Sequence, residues 1–74
     1  MKRDEEVQRG LVLLQQAAVQ APHIPDIRYH LAVAYSKAGR QQEALEVLRN
    51  LLSNAQIFAD IDAAKQLLSQ LQGQ

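Results

Sequence analysis

Apolar side chains recur along this chain at intervals of three and four residues. Val7, Leu11, Leu14 and Ala18 form the first such series, a spacing that places side chains on one face of an α-helix. Asp4, Glu5 and Glu6 stand just ahead of it, where the positive end of a helix dipole favours acids. Gln8, Gln15, Gln16 and Gln20 fall largely off this face. Pro22 closes the segment, because proline disfavours the α conformation in the residue before it. The pattern predicts a first helix over about residues 4–20. Pro25 suits the first turn of a second helix, where its missing N–H has no helical partner to lose. Ile27, Leu31, Ala34, Tyr35 and Ala38 then keep helical spacing up to Gly39, a residue that takes a left-handed cap at little cost. The second helix is predicted over about 25–38. Ala44, Leu45, Leu48, Leu51 and Leu52 make a third stripe, ended by Ser53 and Asn54. The turn between the second and third helices is so short that the two must fold back as an antiparallel hairpin. A fourth helix is predicted over about 59–72, with Ile61, Ala64, Leu67, Leu68 and Leu71 inward and Asp60 and Asp62 in its first turn. No Ser/Gly/Pro-rich linker divides the series, so residues 1–74 read as one all-α domain of about four antiparallel helices.

Composition strengthens the helical reading. Hydrophobic residues make up 47% of the chain but aromatics only 4%, and the prevailing Leu, Ala, Gln, Glu and Arg are good helix formers. A chain this short buries only about 60% of the surface that its unfolded form exposes, so a lone copy is marginally stable. Eight acidic and eight basic side chains cancel, whereas a nucleic-acid binder carries a clustered basic surplus. The stretch AYSKAGR has the look of a helix-turn-helix corner, but zero net charge argues against a DNA reader, and no nucleic-acid partner is expected. The absence of cysteine removes disulfides and thiolate metal sites. No apolar run approaches the ~20 residues of a membrane span. The start, Met1 to Glu6, leads into a helix rather than a signal-peptide core. A soluble chain is expected, and the sequence does not choose between the cytoplasm and, for part of a longer exported protein, the periplasm.

The segment from Pro25 to Phe58 is 34 residues long, and its run LAVAYSKAGRQQEALEVL resembles one tetratricopeptide repeat. Leu31-Ala32 stand for the family's Leu-Gly pair, Tyr35 for its first-helix tyrosine, Gly39 for its turn glycine and Ala44 for the small residue of its second helix, followed by Leu48 and Leu51. One repeat length earlier, Pro22 matches the closing proline, and Gly10, Leu14 and Ala17 match the small, large and small packing positions of a second helix. The resemblance therefore implies helix B of a partial repeat over 4–20, a complete repeat over 25–58 and a capping helix over 59–72, in a short α-solenoid. Small residues at Gly10, Ala32 and Ala44 are expected to let helices approach to roughly 8–10 Å. Two positions depart from the pattern: Arg28 stands where the family often has tryptophan, and Gln56 where the closing proline falls. The final stretch, LRNLLSNAQIFADIDAAKQLLSQL, is similar to the closing segment of long bacterial tetratricopeptide proteins linked to exosortase and exopolysaccharide systems, a likeness resting on Phe58 and the Leu-rich last helix.

No Ser/His/Asp set, carboxylate pair, phosphate loop or metal motif is present, and neither enzyme activity nor a cofactor is expected. Asp26 and His30 have a ligand-like i, i+4 spacing, but only His23 is near as a third donor, and the pair reads as solvated. The resemblance implies a module that binds a peptide or partner protein along the concave face of the first helix of each repeat. Here that face is Tyr29, His30, Val33, Ser36 and Lys37. Tyr29 and Val33 replace the Lys and Asn of the family's carboxylate clamp, so capture of an acidic C-terminal tail is not expected. Val12, Leu13 and Val19 lie outside the stripe assigned to the core. An exposed apolar group of this kind marks an interface, and self-association, by a symmetric dimer or by exchange of the first helix, is expected through it.

Overall fold

A computed structural model of the chain describes residues 2–54 and 57–73. Gln56 lies outside the described residues, as do Met1 and the side chain of Asp4. Four helices follow one another: α1 (Lys2–Gln20), α2 (Pro25–Lys37), α3 (Gln41–Ser53) and α4 (Ile61–Gln72), with no strand among the described residues.

The second corner shows how the sequence makes its turns. Gly39 has a φ of 78°, the left-handed region that glycine enters without a Cβ penalty. The Arg40 amide donates to the Tyr35 carbonyl at 2.9 Å and the Gly39 amide to the Ser36 carbonyl at 3.1 Å, the paired bonds of a Schellman cap. Arg40 is also the residue from which α3 starts. Its guanidinium lies over the Tyr35 ring, 4.9 Å from the ring centre, and its Nε donates to Glu43 Oε1 at 2.7 Å. The hydrogen bond to Glu43 raises the Arg40 pKa above its ordinary value, against a smaller opposing desolvation. One side chain thus closes α2 and opens α3.

The third corner differs from expectation. Helix α4 begins at Ile61 and not near Ala59, because Phe58 turns into the core and the chain reverses over residues 58–61, where the Ile61 amide meets the Phe58 carbonyl at 3.2 Å. Asp60 becomes the capping residue, without a side-chain cap bond.

The core is one cluster contributed by every helix: Leu11 from α1; Leu31, Ala32 and Tyr35 from α2; Ala44, Leu45, Leu48 and Leu51 from α3; Ala64 and Leu71 from α4; and Phe58 from the last corner. Ala32, Ala44 and Ala64 are wholly buried, as expected where backbones approach closely. Gly10 is different. A Cβ built there meets nothing within 4 Å, so none of the four helices requires its small size. The most extensive packing is between α2 and α3, then α1 and α2, then α3 and α4. The result is a slab of 38 × 32 × 18 Å.

Candidate functional site

Helix α2 lies in the middle of the packing order, with α1 on one side and α3 on the other. It therefore carries the surfaces that more than one element can shape. Its buried positions Leu31, Ala32 and Tyr35 face the core. Of the five residues singled out for partner binding, Tyr29 packs partly against the core and the other four lie elsewhere on the helix. Tyr29, Val33 and Ser36 are half-buried and repeat at intervals of four and three, while His30 and Lys37 are exposed beside them. The rings of Tyr29 and His30 are 5.4 Å apart and tilted by 54°, so two adjacent aromatic side chains present one surface. At about 100° per residue, this strip looks away from the line of Arg28, Leu31 and Tyr35.

That second line borders a feature which the sequence pattern did not disclose. An open groove of about 510 Å³ runs where α1 and α3 both meet α2. Leu31 and Tyr35 line it from α2, Ala18 and Val19 from α1, and Val47 from α3. Its polar lining comes from Gln15, Arg28, Glu46 and Asn50. Gln15 was expected to point off the packed face. Instead it is half-buried, and its Nε2 donates to the Tyr35 hydroxyl at 3.0 Å, tying α1 to α2 at the groove wall. A tie between positions twenty residues apart leaves no periodic signal. None of Tyr29, His30, Val33, Ser36 and Lys37 lines this groove.

The self-association set is divided by the structure. Val12, Leu13 and Val19 are 46%, 66% and 80% exposed. Val12 and Leu13 share a shallow depression on the outer side of α1 with Gln8, Arg9 and Gln16, whereas Val19 belongs to the groove. Val12 and Val19, seven residues apart, are nearly aligned along the helix, and Leu13 lies about 100° further round. Other large apolar side chains are exposed at two corners, Ile24 before α2 and Ile57 before α4.

Asp26, His30 and His23 are all exposed, and among the described residues no group of three or more His, Cys, Asp or Glu is placed to hold a metal ion. No described helix is long and apolar enough to cross a membrane.

A tetratricopeptide repeat family model matches residues 4–72, nearly the whole chain and all of its four-helix series but Lys2 and Arg3. The chain belongs to the tetratricopeptide repeat family. No curated protein and no solved structure matches it. Tetratricopeptide repeats are in general protein–protein interaction modules, typically non-catalytic scaffolds, so protein partners are what this family membership implies.

Proposed function

We propose that this tetratricopeptide chain holds a peptide or a segment of a partner protein along the outward face of α2, through Tyr29, His30, Val33, Ser36 and Lys37. In this reading α1 is helix B of a partial repeat, residues 25–58 are a complete repeat, and the stretch from 59 to 72 caps it. The supporting observation is the Tyr29–His30 ring pair on a helix packed against neighbours on both sides. Side chains on a helix so held lose little freedom when a partner docks, and aromatic anchors give large contact areas. Lys37 at the end of the strip adds a positive charge for orientation.

The test is a quantitative pull-down with the wild-type chain and with a Tyr29→Glu/Val33→Glu variant whose far-UV circular dichroism is unchanged. Proteins bound by the wild type should be lost from the variant. An identical set bound by both removes the reading.

A second reading, an end cap and self-association element with no ligand of its own, draws on the exposure of Val12, Leu13 and Val19. Burying such side chains against another copy stabilises at about 25 cal/mol per Å2. Multi-angle light scattering over a concentration series should then give a dimer mass that Leu13→Glu returns to monomer. A monomer mass at every concentration excludes it.

A further inference from the structure

The groove between α1 and α3 carries two opposite charges that neither the core nor the outward face of α2 uses. Arg28 is half-buried in its lining. No hydrogen bond or ion pair engages it among the described residues, where the only ion pair is Arg40–Glu43. Glu46, exposed at the edge of the groove, also has no such partner among the described residues. A half-buried guanidinium has five donors in a planar fork, shaped for two parallel bonds to a carboxylate.

The remaining lining fits a chain segment. Leu31 is buried and Val47 half-buried, an aliphatic surface for one or two apolar side chains. The carboxamides of Asn50 and Gln15 present both donors and acceptors, which suits peptide backbone. One N–H of Gln15 is engaged by the Tyr35 hydroxyl, which leaves its second N–H and its oxygen. Helices α2 and α3 are antiparallel, so Arg28, near the start of α2, lies across from Asn50, while Glu46 lies nearer the Gly39 corner. The charges therefore occupy different levels along the groove and give it a polarity. A groove of about 510 Å³ is in the range of roughly 300–1,000 Å³ that holds a compact ligand, and so suits a few residues and not a whole domain.

We propose that this groove is a second docking site for a short segment of another protein that carries an acidic side chain next to an aliphatic one. The acid pairs with Arg28, the aliphatic side chain lies on Leu31 and Val47, and a basic or N–H-rich position meets Glu46. The site is separate from the outward face of α2, and the two fail independently.

A random octapeptide display library selected on the intact 74-residue chain tests this. Selected peptides should be enriched in Asp or Glu within one or two positions of Leu, Ile or Val. Binding of a synthetic peptide of the selected sequence should weaken on the order of tenfold or more for Arg28→Gln, the loss of a charge-assisted bond. Selection on Arg28→Glu should turn the preference to Lys or Arg. Arg28→Trp should keep the helical circular dichroism and melting temperature while abolishing binding, and Tyr29→Glu/Val33→Glu should leave it unchanged. Failure to enrich any sequence overturns the proposal, as does an acidic preference that survives Arg28→Glu. A dimer of the chain that Arg28→Glu disrupts also overturns it, by making a second copy the occupant.

Discussion

Two glycines show how differently one residue type can be used. Gly39 sits at a left-handed φ with both bonds of its cap formed. Gly39→Ala should therefore destabilise the chain by about 1–2 kcal/mol, read as a lower midpoint of urea unfolding. Gly10 lies inside α1 with open space where a Cβ would stand. Gly10→Ala should raise the midpoint, by about 0.5–1 kcal/mol of helix propensity; a lowered midpoint would reveal a contact at Gly10 that the four helices do not supply. The turn role of Gly39 was legible from its place at the end of an apolar series. Gly10 matched a packing position by resemblance alone, and the structure withdraws the close-approach reason for it. The Arg40 contacts with Tyr35 and Glu43 were not foreseen, because a polar residue's partners depend on how a corner closes and not on period.

At the scale of the helix, burial follows the stripes read from the sequence. Leu48 and Leu51 on α3 are wholly enclosed, whereas Leu67 and Leu68 on α4 are only partly so. The difference comes from position: α3 packs against α2 and α4, but α4 packs chiefly on α3. Leu48→Ala should cost about 2–5 kcal/mol, enough to unfold much of a chain this small at room temperature, whereas Leu67→Ala should cost distinctly less. Thermal melts followed at 222 nm compare the two directly. The helices were legible because Leu and Ala repeat at 3.6-residue spacing, and the last start was misplaced by about two residues. Ala59 and Asp60 are compatible with a helix, but the turn that buries Phe58 takes them first. The groove was not legible at all, since it forms from three helices whose lining residues are spread between Gln15 and Asn50.

At the scale of the whole molecule, the outward strip of α2, the groove and the exposed side of α1 give the chain three surfaces, the last two of which share Val19. Each has its own discriminating substitution: Tyr29 and Val33 for the outward strip, Arg28 for the groove, and Leu13 for self-association. Helices bear mainly on their neighbours in sequence, and this has a mechanical consequence. Such a stack passes a load from one end to the other chiefly through the helices between, so strain applied at α4 should reach α1 mainly by way of α3 and then α2.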